Sequence, residues 1–181
     1  MLLRDATPAD FDRILQINQQ SVHFLSSLTP DRLAWLHGMA ASHRVLEHAG
    51  LVAAFLLAFR EGVAYDSPNY RWFSLQYDRF LYVDRVVVAT ESQGQGLAPR
   101  LYDDLFAIAR SLGAPRITLE IDSEPPNPVS ARFHARYGFA EVGAQWVAGG
   151  SKQVSLQALE LNGQGPGRLQ GDQPISRLTR T

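Results

Sequence analysis

Gln93-Gly94-Gln95-Gly96-Leu97-Ala98 is the stretch of this 181-residue chain whose residue types and spacing most directly suggest chemistry. An apolar run at residues 80–89 precedes it and an amphipathic run at 96–111 follows, so the glycines stand where a buried strand hands over to a helix. There they let successive backbone N–H groups turn into one concavity beside the positive end of the helix dipole. Such a place takes phosphate oxygens without a charged side chain. The same glycines also suit a tight turn with no ligand. A Walker loop is excluded, because it needs a longer glycine spacing followed by Lys and Ser or Thr. A dinucleotide fingerprint asks for a third glycine where Pro99 stands, and it opens a βαβ series instead of lying mid-chain behind a hairpin. Glu120 would then be the ribose-binding acid at a stretched distance.

Carboxylates are the second group of interest. Asp84 interrupts the apolar strand at 80–89. Strict alternation places 82, 84, 86 and 88 on one face and Arg85 on the other, so the neighbours do not pair side by side. A carboxylate so placed needs a partner, a water or a role. Glu120 and Asp122 fall at the end of the next parallel strand, where α/β sheets keep their sites. His23, His37, His43 and His48 show no metal-ligand spacing, and no metal is expected. Without a single Cys, disulfides, thiolate metal sites and cysteine nucleophiles are excluded. Residues 61–79 form a long connection holding Tyr65, Tyr70, Trp72, Phe73 and Tyr77. With Tyr82 these rings suit either a flap over the core or an amphipathic pocket.

The elements that must position these groups are legible from caps and periodicity. Residues 1–6 read as a short strand. Thr7-Pro8-Ala9-Asp10 starts a helix, and Phe11, Ile14, Leu15, Ile17 and Val22 follow at helical spacing. Thr29-Pro30-Asp31 repeats the start, with Leu33, Trp35, Leu36 and Met39 outlining a second helix. Residues 44–48 and 51–60 flank Ala49-Gly50 as a hairpin. Strands at 80–89 and 116–122 bracket a helix at 96–111, stopped by Leu112-Gly113-Ala114-Pro115. A Pro-rich turn at 124–128 leads to a short helix at 129–137, and 139–147 with 152–161 form a closing hairpin across Gly149-Gly150. This order predicts an α/β mixed sheet with helices on its faces and a parallel, right-handed strand–helix–strand unit in the middle. From Asn162 the composition turns to Gly, Gln, Pro, Ser and Arg. One domain is expected over 1–162 and a flexible tail over 163–181.

The glycine segment resembles the pyrophosphate-binding signature of the GNAT superfamily of N-acetyltransferases, Gln/Arg-x-x-Gly-x-Gly/Ala. Asn127-Pro128-Val129-Ser130-Ala131-Arg132-Phe133-His134-Ala135-Arg136-Tyr137-Gly138-Phe139 is similar to that family's second block, an Asn followed by a short helix ending in Gly-Phe. The likeness is close over residues 80–139 and extends in element order over 1–161; residues 80–102 with the aromatic loop also resemble a poorly characterised branch of predicted acetyltransferases. The resemblance implies a GNAT-like mixed, mostly antiparallel twisted sheet with a central parallel βαβ unit and helices on both faces. It implies acetyl-CoA as donor and direct transfer to an amine, without a covalent acetyl-enzyme. Val86, Val87 and Val88 would then offer backbone groups to the pantetheine, one N–H polarising the thioester oxygen. Gln93, Gly94, Gln95, Gly96, Leu97 and Ala98 would cradle the pyrophosphate. Asn127 and Ser130 would bind the pantetheine or cap their helix. Arg100, Arg132 and Arg136 are either phosphate partners or solvated surface. An alkyl ammonium of pKa ~10.4 must lose a proton before it attacks, and a carboxylate base, or a water relay to one, is the natural answer. Asp84 is the first candidate and Glu120 the reserve. Where the family places a thiol-side Tyr, four residues before the Gly of Gly-Phe, this chain has His134, while Tyr137 is out of position. An imidazole also donates a proton near neutral pH. The acceptor pocket falls to Tyr70, Trp72, Phe73 and Tyr82.

Seventeen Lys+Arg against 18 Asp+Glu give a net charge of −1. That balance argues against nucleic-acid binding through a broad basic surface and against a polybasic membrane anchor. A hydrophobic content of 45% suits a packed core. No apolar run approaches the ~20 residues that span a bilayer, and Met1-Leu2-Leu3-Arg4-Asp5 turns charged too early for a signal-peptide core. The expectation is a cytoplasmic monomer or homodimer that acetylates an amine of a small molecule, amino acid or peptide, with no nucleic-acid or membrane partner. The alternative is an acyl-CoA-binding sensor without catalysis. A nucleotide binder on another α/β scaffold is the third reading.

Overall fold

The structure, a computed structural model, describes residues 1–23 and 25–161, so the tail expected at 163–181 lies outside the described residues. The strands are β1 (Leu2–Asp5), β2 (Ser42–His48), β3 (Leu51–Arg60), β4 (Leu81–Val88), β5 (Arg116–Glu124), β6 (Ala140–Val147) and β7 (Lys152–Glu160). The helices are α1 (Phe11–Gln19), α2 (Pro30–Met39), α3 (Pro68–Gln76), α4 (Leu97–Ser111) and α5 (Pro128–Tyr137). Of these strands and helices, α3 is not expected from the sequence, and it occupies half of the expected aromatic loop. Its start is the Ser67-Pro68 pair: the Ser67 hydroxyl accepts from the Tyr70 N–H and Pro68 takes the first helical position. Tyr70, Phe73 and Tyr77 then lie at helical spacing, which brings Tyr70 and Phe73 into the core.

All seven strands join one sheet in the order β1-β2-β3-β4-β5-β7-β6. Every pairing is antiparallel except β4 with β5. The continuous apolar run of β3 makes it an interior strand, buried on both faces from Val52 to Phe59. Its small or branched residues Ala54, Leu56 and Ala58 meet α4, with Leu101, Tyr102 and Leu105 in the same cluster. On the opposite face Phe55 packs with Ile14, Ile17 and Leu33 of α1 and α2, while Leu57 and Phe59 pack with Leu36, Tyr70 and Phe73. Helices therefore cover both faces, as the fold class requires. Among the described residues no helix is long and apolar enough to cross a membrane.

Two departures from a regular ladder position the site. The first is a bulge in β4. Leu57 pairs with Arg85 and Ala58 with Val83, leaving Asp84 as the extra residue. The bulge reverses the side-chain parity along the strand. Leu81 and Val83 face α4 before it, and Val86 and Val88 face α4 after it; Tyr82 and Val87 face the other layer. The expected shared face for 82, 84, 86 and 88 is thereby corrected, and Asp84 and Arg85 come together instead of pointing apart. The second departure is the shortness of the parallel pairing. β4 and β5 meet only at Leu81↔Ile117 and Tyr82↔Thr118, whereas β5 continues along β7 to Glu124. Beyond Tyr82 the two strands diverge and a cleft opens between their C-terminal halves.

Candidate functional site

The cleft has a volume of about 1430 Å³, and its walls follow from the divergence of β4 and β5. One wall is β4 from Val83 to Val88, the other β5 from Leu119 to Asp122. The glycine turn and the first residues of α4 close one end, α5 lines the side through Asn127, Ser130 and His134, and the α1–α2 connection crosses the outside through Gln20 to His23, Leu25 and Ser26. Because β5 leaves β4 after Tyr82, the edge of β4 that follows faces the cleft with its backbone groups.

The glycine turn has the conformation a phosphate cradle needs. Gly94 has φ 76° and Gly96 φ 73°, and a Cβ built at either would meet no neighbouring atom within 4 Å. Space there is open toward the cleft, and the left-handed backbone directly precedes the N-terminus of α4. Gln93, Gly94, Gly96, Leu97 and Ala98 line the cleft; Gln95 points outward and is exposed. Val86, Val87 and Val88 line it as well. Asn127 lines it while capping α5, its Oδ1 accepting from the Ser130 N–H at 3.1 Å. Arg100, Arg132 and Arg136 are exposed and lie outside the cleft lining.

Asp84 is buried and fully engaged. Arg85 Nε donates to its Oδ2 at 2.6 Å, and the Tyr65 hydroxyl donates to Oδ1. Arg85 is 5% exposed and reaches on to Asn18 Oδ1 at 2.8 Å and the Ser26 carbonyl at 3.3 Å, tying the α1–α2 connection to the bulge. Burial pulls the Arg85 pKa down, but the Asp84 charge outweighs it and the guanidinium stays charged. Tyr65 is held neutral by burial and by the same carboxylate.

Glu120 is the contrasting carboxylate. It is half-buried on the cleft wall and accepts from the Tyr82 hydroxyl at 2.7 Å. Burial raises its pKa to about 7, with the Asp84 charge adding to the rise and the Tyr82 hydrogen bond and the Asn69 amide opposing it. Asp122, two residues along, pairs with Lys152 Nζ at 2.7 Å.

His134 faces the cleft but is only 5% exposed. Its Nδ1 hydrogen donates to the Ser130 carbonyl at 2.8 Å, so Nε2 is the acceptor, and the Tyr102 hydroxyl donates to it at 2.5 Å. Burial pushes its pKa down to about 4, leaving a neutral imidazole whose one proton is turned away from the cleft. Tyr102 also lines the cleft, from the buried face of α4.

The four aromatics expected to bind the acceptor are displaced from that place. Tyr70, Phe73 and Tyr82 are at most 2% exposed and fill the core behind the cleft wall. Trp72 packs against Gly143 of β6. None of the four lines the cleft, because α3 turns the aromatic stretch inward. Tyr65, Asn69, Arg85, Tyr102 and Lys152 line it instead. Of these, the sequence reading named Tyr65 in the aromatic stretch and Arg85 only as a residue on the wrong face.

Residues 12–139 match the profile of the Acetyltransferase (GNAT) family. The chain belongs to that family. Among solved structures, that of yncA from Salmonella typhimurium with its cofactor acetyl-CoA has a TM-score of 0.66 at 22% identity, covering 92% of this chain and 98% of its own. The ribosomal-protein-S18-alanine N-acetyltransferase from Escherichia coli has a TM-score of 0.68 at 16% identity, covering 92% and 97%. Naa20 from Chaetomium thermophilum, in complex with a bisubstrate analogue, has a TM-score of 0.71 at 17% identity, covering 88% and 86%. At these identities the likeness is one of fold. No relative was found among curated protein sequences.

Proposed function

We propose that the protein transfers the acetyl group of acetyl-CoA directly to an amine of a small molecule, an amino acid or a peptide. The observation that carries this reading is the divergence of β4 from β5 after two residue pairs, which turns a strand edge toward a cleft ending in two left-handed glycines at a helix N-terminus. Family membership and the fold shared with structures of N-acetyltransferases support it.

Bound in the cleft, acetyl-CoA supplies an electrophilic thioester carbon and a thiol leaving group. The edge of β4 from Val86 to Val88 pairs with the pantetheine amides, and a strand N–H polarises the thioester oxygen. Gly94, Gly96, Leu97 and Ala98 hold the pyrophosphate through backbone N–H groups. Glu120 accepts one proton of the acceptor ammonium; as the amine nitrogen then bonds to the carbonyl carbon and the C–S bond breaks, the nitrogen's second proton passes to the departing thiolate, giving the amide and the free thiol. Its pKa of about 7 suits a base working near neutrality, whereas Asp84 is committed to Arg85 and Tyr65. We therefore place the base at Glu120 and give Asp84 the task of holding Tyr65 and Arg85. His134 is a positioning residue that orients the Tyr102 hydroxyl on the thiol side. A free thiol has a pKa of ~8.5, so its thiolate departs near neutral pH without a strong acid.

Titration calorimetry with acetyl-CoA, using coenzyme A and NAD as controls, followed by an amine screen read by thiol release, tests the reading. Micromolar binding of acetyl-CoA with amine-dependent thiol release is the expected result. Absence of binding at millimolar acetyl-CoA, or displacement by NAD, overturns it. The turned-away proton of His134 favours one second reading, acyl-CoA binding without transfer. Tight binding with no thiol release toward any amine would establish that reading.

A further inference from the structure

Three ion pairs line the cleft among the described residues, and they differ in how readily the basic partner can change acceptors. Arg85 is held by Asp84 and Lys152 by Asp122, and the side chains of those two carboxylates are 5% and 6% exposed. Drawing either cation away strands a buried carboxylate, which is costly. The third pair joins Arg32 of α2 to Asp66, just before α3. Here the carboxylate is 56% exposed, so it returns to water at little cost when another acceptor takes its place. Of the three cations, Arg32 is the one whose partner is exchangeable.

Arg32 does not depend on Asp66 for its placement. Its guanidinium carbon lies 4.4 Å from the centre of the Trp35 ring, three residues along the same helix, and 5.6 Å from that of Tyr65. Tyr65 is itself anchored, buried in the core with its hydroxyl donating to Asp84. Nη1 and Nη2 both donate to the Asp66 carboxylate, Nη1 at 3.2 Å. A planar fork resting on two rings therefore already presents paired donors to a carboxylate, and a carboxylate arriving in the cleft fits it in the same way. A second ammonium arriving there gains only a carboxylate in water and meets the like charge of the guanidinium.

We propose that Arg32 is a specificity-determining residue that binds a carboxylate of the acceptor by displacing Asp66. The substrates are then small amines that carry a free carboxylate, such as amino acids and short peptides. The inference rests on the transfer reading above, with Glu120 taking the proton at the amine end. Asp66 acts as an internal competitor for the fork.

The test is thiol-release kinetics with acetyl-CoA and a panel of amino acids, ω-amino acids and dipeptides, each offered as the free carboxylate and as its carboxyl amide. The carboxylate member of the preferred pair is expected to win by about 10–100-fold in kcat/KM, carried by KM, the size of a charge-assisted hydrogen-bonded contact. Arg32→Gln should bring the two members to within about threefold of each other. Asp66→Asn frees the fork and should lower KM for the carboxylate by about threefold or more. An ion pair with only a structural role predicts the opposite, since both variants would then lose together. Equal rates for the two members of every pair, a preference that survives Arg32→Gln, or a raised KM in Asp66→Asn overturns the inference. Thiol release that ignores the carboxylate leaves the transfer reading standing, whereas release from no acceptor in either form overturns both. Thermal melts check the fold of each variant; if Arg32→Gln does not fold, Asp66→Asn, at an exposed position, carries the same test.

Discussion

Replacing Glu120 with Gln should make the protein more stable at pH 8 and nearly inactive, two opposite effects from one carboxyl. The folded-state pKa of Glu120 lies at about 7 against an ordinary value of 4.5, and burial on the cleft wall is the main cause. A carboxyl with a raised folded pKa contributes stability that is fully present below about pH 4.5 and is lost as pH rises through about 7. A shift of this size corresponds to a ceiling of about 3 kcal/mol lost by pH 8. Glutamine cannot ionise, but its amide oxygen accepts from the Tyr82 hydroxyl less strongly than a carboxylate does and returns part of the gain. An advantage of about 1–3 kcal/mol at pH 8 is therefore expected, or a few degrees to about 10 °C in Tm for a domain of this size. At pH 4.5 the two proteins should melt nearly together. Loss of a general base lowers kcat/KM by about 10²–10⁴-fold. Thermal melts across pH 4.5–8.5 and thiol-release kinetics read both effects. Activity within a few-fold of the parent, or a Tm difference that does not vary with pH, refutes the assignment of Glu120.

The Asp84–Arg85 pair is buried, with side chains 5% and 3% exposed, so Arg85→Ala leaves an uncompensated carboxylate and should destabilise by about 3–5 kcal/mol in urea melts. Asp84→Asn combined with Arg85→Met should cost less than Arg85→Ala alone, and Asp84→Asn should retain far more activity than Glu120→Gln. Gly96→Val adds about 1–2 kcal/mol of left-handed backbone strain and a side chain in open space at the cradle; calorimetry should show acetyl-CoA binding weakened by more than tenfold. Since the folded pKa of His134 is lowered to about 4 from 6.5, its contribution to stability is complete above about pH 6.5 and is lost as pH falls toward 4. His134→Phe should flatten that acid sensitivity in urea melts at pH 5 and 7.5. The kcat/KM profile should gain no limb from His134 between pH 5 and 9.

What the sequence discloses about this fold is what local rules govern. Thr7-Pro8, Thr29-Pro30 and Gly138 mark helix ends through capping chemistry confined to a few residues, and the glycine turn declares itself by residue type alone. The Ser67-Pro68 start obeys the same rule as the two Thr-Pro starts, so α3 was legible too, though masked by aromatic residues that suit a loop flap as well as a helix. Site geometry was less accessible because it depends on breaks in regularity. A strand read with period two puts Asp84 and Arg85 on opposite faces; one extra residue opposite the Leu57–Ala58 step reverses that order, and no residue type in Tyr82-Val83-Asp84-Arg85-Val86 signals the insertion. Nor does sequence separation suggest that Tyr82 meets Glu120, or that Gln145 meets Asn69, since each comes from a different element. The two carboxylates show the consequence. Both interrupt apolar strands and look equivalent in the chain. The bulge delivers a guanidinium and a phenol to Asp84, while the divergence of β4 from β5 leaves Glu120 facing the cleft with the neutral Tyr82 hydroxyl donating to it. Environment, not residue type, separates the committed carboxylate from the one free to accept a proton.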